Sequence, residues 1–460
     1  MITLLTNFGN EVRPLSKIAG PLIVNNLSIA GMQFADTIMS GMLGAESLAA
    51  VAVGSQIWFL GFMVSLGLMT AISPIVARHY GAGDLGKIGQ YTQQGLWLAV
   101  SLGLFVFLLA QFFVEPLMIF LSFDEEFRDL SIGYVRAVFF GAPAIYAFLV
   151  LRFTTEGIGF VRPIMYASLF ALVCNVFLNW VFMFGNLGMQ AYGAIGCGIA
   201  SAATMWLVLL GMTVYFVRKS IYRPLNIFGR ITLLRVPVIK EIVWLGAPIA
   251  GAITAESGFF AAVTLIIGSR GTDITAAHQI TVNFVSTLFM IPLALGAATT
   301  VRIGHALGAG KAEAARMRGI VGIALSAGFM AASAIFILLF GEQVLGIYTN
   351  DRAVIEIGIS LLIMAAIFQV ADGVQISTAG VLRGYKDTRI PMLINIFSYW
   401  GLGFPLAYMA IVTYQAPPAY AWAGFVVGLT VAAILLTMRF QSISKTAIQN
   451  STNTAAIKAI

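Results

Sequence analysis

The sequence predicts an all-α polytopic membrane protein, with twelve transmembrane helices in two pseudo-symmetric six-helix bundles. Three observations predict it. Hydrophobic residues make up 59% of the 460 and charged residues only 10%, with a mean hydropathy of +0.92; a soluble domain carries about 25% charged residues. Apolar stretches long enough to cross a bilayer recur along the whole chain. The second half repeats landmarks of the first at a near-constant spacing.

A spanning helix needs about 20 apolar residues. The first, 16–40, carries Pro21 and Asp36, and the second, 48–77, runs into the turn text IVARHYGAG. The third is 92–114. The fourth, 132–152, holds Pro143; the fifth, 163–184, opens on Pro163 and holds CNVFLNW; the sixth, 193–217, ends against Arg218 and Lys219. The seventh, 241–268, carries Pro248 and Glu256, and the eighth, 276–301, carries Pro292. The ninth is 319–341. The tenth, 354–381, holds Asp372; the eleventh, 391–414, opens on Pro391 and holds Pro405; the twelfth is 419–438. Spans longer than about 25 residues must tilt, kink or run beyond the hydrocarbon. Pro21, Pro143, Pro248, Pro292 and Pro405 each remove a backbone hydrogen bond inside a span and favour a kink.

The loops support this count. With both ends cytoplasmic, the outer loops hold only Arg128, Arg136, Arg270 and Arg352, and the other 22 of the 26 Lys and Arg lie inside, a strong positive-inside bias. The net charge of +7 therefore orients the chain in a membrane and implies no nucleic-acid partner. Six basic residues, Arg218, Lys219, Arg223, Arg230, Arg235 and Lys240, mark the longest inner loop. The expected organisation is an N-terminal bundle at 1–218, a cytoplasmic linker at 219–240, a C-terminal bundle at 241–440 and a cytoplasmic tail at 441–460. No cleavable signal peptide is read at the N-terminus. Cys174 and Cys197 lie in or beside apolar segments and need no disulfide.

At an offset of 227, Pro21 falls on Pro248 and GAG at 81–83 falls on GAG at 308–310. At a slightly smaller offset TTEG (154–157) falls on STAG (377–380), and after a short insertion Pro163 falls on Pro391. Both halves run in the same direction with six spans each. That implies parallel repeats, an arrangement that commonly encloses a central cavity.

Catalytic signatures are missing from the text. His79, His278 and His305 are the only histidines, all near loops or helix ends, and no HExxH or GxSxG motif occurs. GHALGAGKA (304–312) departs from a phosphate loop at His305 and Ala312, and reads as a hairpin turn. If the chain pumps, an ion gradient drives it.

Sixteen of the 19 acids fall in loops or at membrane edges; Asp36, Glu256 and Asp372 lie deep in spans. A charged carboxylate at mid-membrane costs about 2.5–3.5 kcal/mol on the insertion scale, and none of the three has a basic residue within a helical turn or two. Such acids face an aqueous cavity, bind a cation or hold a proton; the bland alternative is a protonated acid bonded to a neighbouring helix. Phe260 follows Glu256 by four and Phe368 precedes Asp372 by four, which puts each pair on one helix face. An aromatic face beside a carboxylate suits a bulky organic cation, although a ring in such a segment also serves packing. Asn175 and Asn179 share a face and are candidate partners of Asp36, or packing amides between helices. The repeat does not duplicate the acids: Ile29 stands opposite Glu256, and Val263 opposite Asp36.

The spacing of Pro21 and Asp36, the GAG turn, CNVFLNW, AAHQITVNF (276–284), FMIPLALGAATTVRIGHALG (289–308) and VLRGYKD (381–387) together resemble the multidrug and toxic compound extrusion (MATE) family. The resemblance is strongest to its NorM-type bacterial branch and covers roughly 11 to 440. It implies two six-helix bundles opening alternately to each side, and export of cationic organic drugs or dyes in exchange for Na⁺ or H⁺. It implies coupling roles for Asp36, Glu256 and Asp372, with Asn175 and Asn179 beside Asp36, and Glu256 and Asp372 as the candidate Na⁺ ligands. Phe289 sits where relatives place an aromatic near the drug. Relatives can carry Tyr where this chain has Phe368, whose ring lacks a phenol oxygen to ligate a cation.

The expectation is thus a secondary active multidrug exporter, not an enzyme, with no cofactor beyond the coupling ion. It is expected to work as a monomer, multi-pass in a bacterial inner membrane. Three rivals are weighed. A flippase for lipid-linked saccharides needs a basic cavity. A receptor or scaffold needs neither buried acids nor a duplication. An intramembrane enzyme needs a nucleophile–base or metal set.

Overall fold

The computed structural model describes residues 2–120, 124–229 and 232–458; Arg230 of the inner basic loop lies outside them. Among the described residues every regular element is helical. Eleven helices are long and apolar enough to span a bilayer, and a bent pair makes a twelfth when read as one span. In chain order they are α1 (Ile2–Met42), α2 (Ala45–Gly81), α3 (Leu85–Phe120), α4 (Glu125–Phe139 with Ala142–Ile158), α5 (Arg162–Phe184) and α6 (Gly193–Arg218). Then come α7 (Val236–Gly268), α8 (Thr272–Gly308), α9 (Ala312–Tyr348), α10 (Arg352–Gly384), α11 (Arg389–Thr413) and α12 (Trp422–Lys458).

The fourth span, expected at 132–152, straddles a 41° bend between its two pieces. Pro143 stands in the first turn of the second piece, where a missing N–H costs nothing. Most helices outrun the hydrocarbon. The 37 residues of α8 reach about 55 Å at 1.5 Å per residue, against a core of about 30 Å. Residues 441–458, read as part of a tail, continue α12. In α11 two π-helical stretches, Phe397–Gly403 and Met409–Thr413, flank Phe404–Tyr408.

The backbone carries the repeat more completely than the side chains do. Left-handed φ angles recur 227 residues apart, at Gly44 and Gly271 (114° and 123°), Gly83 and Gly310 (76° and 72°), Gly159 and Lys386 (85° and 61°), and Gly188 and Gln415 (80° and 48°). Packing follows the same offset. A Cβ on Gly157 would lie 2.8 Å from the Ser73 carbonyl oxygen and 2.7 Å from Val76; one on Gly384 would lie 3.0 Å from the Thr300 oxygen and 2.9 Å from Ile303. These pairs correct the sequence alignment of TTEG with STAG. TTEG lies opposite VLRG (381–384), so Glu156 corresponds to Arg383.

The chain forms two compact units, one of Pro21–Ala250 and one of Met1–Gly20 with Gly251–Ile460. The six-helix halves describe the repeat, and the compact units exchange the first parts of α1 and α7. Each exchanged arm is fixed by an acid. Glu11 takes Arg302 Nη2 at 2.5 Å and Arg318 Nε at 3.1 Å, while Arg318 Nη1 donates to the Arg302 carbonyl at 2.8 Å. In the other unit the Tyr91 hydroxyl donates to Glu241 Oε2. Tyr91 and Arg318 are again 227 apart. The linker is strapped to α3. Gln93 Nε2 donates to the Ile227 carbonyl at 2.5 Å, Gln94 Nε2 to that of Leu233 at 3.0 Å and Trp97 Nε1 to that of Thr232 at 3.1 Å.

Within the unit that holds α8 to α12, α8 and α10 meet at glycines. A Cβ on Gly380 would fall 2.4 Å from the Gly296 carbonyl oxygen, and Thr300 Oγ1 donates to the Gly380 carbonyl at 2.7 Å. Small residues let helix backbones approach in this way inside a membrane. One hydrophobic core of that unit gathers five buried aromatics, Phe259, Phe368, Tyr399, Trp422 and Phe425, among aliphatic residues.

Candidate functional site: buried acids in each unit

In the unit of Pro21–Ala250 the site forms where α1 meets α5. Asn175 and Asn179, one turn apart on α5, point the same way, and both are buried. Asn179 Nδ2 donates to Asp36 Oδ1 at 2.6 Å and contacts Asn175 Oδ1 at 3.4 Å. Ser40 Oγ donates to the Asp36 carbonyl at 2.6 Å, and the Cys197 thiol of α6 lies beside the carboxylate. Asp36 itself is only partly buried. Asn179 Oδ1 is buried with no hydrogen-bond partner, and a buried acceptor left free is uncommon. The structure thus brings together three of the predicted residues: one carboxylate and two amides, an oxygen-rich set suited to a hard monovalent cation or a proton.

The second site lies wholly in the other unit. Asp372 on α10 is 4% exposed and Glu256 on α7 is partly buried; the two lie within electrostatic reach of each other. Two neighbours were not singled out in the sequence. Gln375, one turn beyond Asp372, and Tyr399 on α11 adjoin Glu256. The Gln375 amide lies against both the Glu256 carboxylate and the Tyr399 hydroxyl, and elsewhere on α10 and α11 Ser377 Oγ, Asn395 Oδ1 and Ser398 Oγ are buried without a hydrogen-bond partner. Two acids beside an amide and a phenol give this region the capacity to ligate an ion or hold a proton. Tyr399 escaped the sequence because its helix is not α-helical there. The π-helical stretch shifts the periodicity on which face assignments rest.

The predicted aromatics separate. Phe368 is 1% exposed and lies inside the aromatic core, with its ring centroid 5.8 Å from that of Trp422. Phe260 remains partly exposed and stacks on Phe425 at 4.4 Å with a 17° interplanar angle. Phe289 is partly buried on α8, outside that core. Pro21 and Pro248 stand where α1 and α7 pass between compact units.

A fourth acid was taken for a membrane-edge residue. Glu156 is 3% exposed and accepts a hydrogen bond from Ser73 Oγ at 2.9 Å, with Arg152 one turn away on the same helix. Its signal was the adjacent Arg–Glu spacing, which marks a pair able to enter a helix bundle together. His278, placed near a helix end, is 1% exposed and bonded on both ring nitrogens. Among the described residues no group of three or more His, Cys, Asp or Glu could hold a metal ion.

The comparisons with known proteins agree with this architecture. The model of the family described as MatE matches residues 21–181 and 248–409. The multidrug resistance protein PmpM of Pseudomonas aeruginosa is 38% identical over 433 residues, covering 93% of this chain and 91% of its own. A probable multidrug resistance protein NorM of Shewanella oneidensis is 35% identical, covering 95% and 96%. Among solved structures, a MATE protein crystallised in complex with MaD3S superposes with a TM-score of 0.86 at 22% identity, covering 95% of this chain and 97% of that one. That likeness bears on the fold alone.

Proposed function

The chain belongs to the MatE family, and on that premise we propose that it expels cationic organic drugs or dyes across a bacterial inner membrane in exchange for Na⁺ or H⁺. Membership makes it a multi-pass multidrug efflux transporter, not an enzyme. The cationic substrate, the coupling ion, the inner membrane and the cytoplasmic placement of both termini are parts of the proposal.

The observation that carries it is the bond from Asn179 to Asp36, beside a free amide oxygen. A carboxylate held by neutral amides keeps its negative charge available to a mobile cation. Asp36, Asn175 and Asn179 form the coupling site of one unit. Glu256 and Asp372 form that of the other, where they are the Na⁺ ligands if the ion is Na⁺. Tyr399 supplies the phenol oxygen that Phe368 lacks. The partly exposed ring of Phe260 offers the organic cation an apolar and cation–π face, with Phe289 as a second aromatic contact. Pro21 and Pro248 are the kink points of α1 and α7, where a missing backbone hydrogen bond favours bending.

The mechanism is competition. Uptake of Na⁺ or H⁺ neutralises the acids on one side of the membrane and weakens their hold on the organic cation, which leaves. Loss of the ion on the other side restores the charge and the next cation binds. A ligand shifts the two states only by its difference in affinity for them. The lipid-linked-saccharide reading is not favoured, since the buried acids would repel a pyrophosphate. The test is ethidium efflux from energised cells. Wild type should lower intracellular dye and Asp36→Asn should not; equal efflux by both would refute the role of Asp36.

A further inference from the structure

Behind Phe260 lies a chain of hydrogen bonds whose directions the atoms dictate. Trp422 Nε1 approaches His278 Nδ1 at 3.2 Å. An indole N–H only donates, so Nδ1 accepts. The ring's proton is then on Nε2, which faces Thr264 Oγ1 at 2.8 Å. Thr264 Oγ1 in turn donates to the Phe260 carbonyl at 2.9 Å. A doubly protonated ring would set two N–H groups against each other at Trp422, so the geometry holds for the neutral imidazole alone.

The same histidine reaches the Phe260 ring by a second route. The indole of Trp422 stands edge-on to His278 (5.6 Å, 82°) and edge-on to Phe425 (5.5 Å, 90°). Phe425 is the ring on which Phe260 stacks. Trp422, Phe425 and His278 are each no more than 1% exposed, and Phe260 is the one ring of this set that keeps partial exposure. His278 on α8 is thus linked to the Phe260 carbonyl through Thr264 of α7 and to the Phe260 ring through Trp422 and Phe425 of α12.

We propose that His278 is a positioning residue that sets the angle of the Phe260 face and so selects among organic cations by size and planarity. The inference rests on the efflux reading above. Nothing about the bland alternative, a polar clasp that only stabilises the helices, would make its loss discriminate between substrates.

The test is transport of ethidium, broad and planar, and of tetraethylammonium, small and round, by the full chain in proteoliposomes. His278→Leu and Trp422→Phe should raise the ethidium KM by roughly three- to tenfold, the effect of losing one net hydrogen bond, with the tetraethylammonium KM and both maximal rates nearly unchanged. His278→Asn, whose amide oxygen can occupy the Nδ1 position, should recover most of the ethidium KM. Parallel changes for both cations, or no change in KM, would overturn the proposal. If His278→Leu is not recovered as a monodisperse protein, Thr264→Val and Trp422→Phe, each expected to raise the ethidium KM alone, decide the matter by the same KM ratio. Transport of neither cation by wild type would instead overturn the efflux reading beneath it.

Discussion

Asn179 donates a hydrogen bond to Asp36 at 2.6 Å across two helices, which makes α5 the holder of the only deep acid on α1. The contact is short, as charge-assisted hydrogen bonds are. Replacing Asn179 by Leu removes the donor of that bond, a loss of about 1.5–3 kcal/mol for a hydrogen bond to a charged group. The expected result is a tenfold or larger loss of ion-coupled efflux with normal membrane insertion. Dye-efflux rates normalised to protein abundance measure it, and near-normal rates would remove Asn179 from the site.

Glu256→Gln and Asp372→Asn each preserve shape and remove charge. Both should abolish ethidium efflux while the protein still inserts and purifies as a single species. The neutral variants should if anything gain stability, because the desolvation cost of a buried charge disappears. Near-normal efflux in both would contradict the acid-centred mechanism for this unit.

Much of this was legible in the sequence, and the reasons differ by residue. Length and hydropathy suffice to place spans, because a bilayer imposes a minimum apolar length. Asp36, Glu256 and Asp372 stood out because a carboxylate in an apolar run is costly. Asn175 and Asn179 followed from one-turn spacing. Tyr399 did not, since a π-helical stretch breaks that spacing, and Phe368 looked like a ligand face although its ring is packed in the core. His278 resembled a helix-end residue; its partners Thr264 and Trp422 lie on other helices, and no local pattern announces them. The exchange of the arms of α1 and α7 has no sequence signal beyond Pro21 and Pro248.

Glu11 joins two arginines whose side chains, like its own, are no more than 20% exposed. Glu11→Ala leaves Arg302 and Arg318 facing each other and should destabilise the folded protein by about 3 kcal/mol, the lower end for breaking a buried charge pair. Thermal unfolding in detergent, with Arg318→Met alone and combined with Glu11→Ala, gives the coupling energy. Additive losses would mean that the arm is held by packing rather than by these charges.

Gly380 has no room for a side chain. Gly380→Val would push α8 and α10 apart at the Gly296 carbonyl and disturb the Thr300 bond, costing about 1–3 kcal/mol through overpacking. The expected reading is a lower melting temperature and reduced yield, with Gly328→Ala, which has open space around it, as the unaffected control. Equal melting of the two variants would show that the close approach is not tight.

The central claim is that an ion gradient alone powers export. Purified protein in proteoliposomes, given an imposed Na⁺ gradient and, separately, an imposed pH gradient, should move ethidium against its gradient in response to at least one of them. Asp36→Asn protein should respond to neither. Wild-type protein that responds to neither gradient would contradict secondary transport and the account built on it.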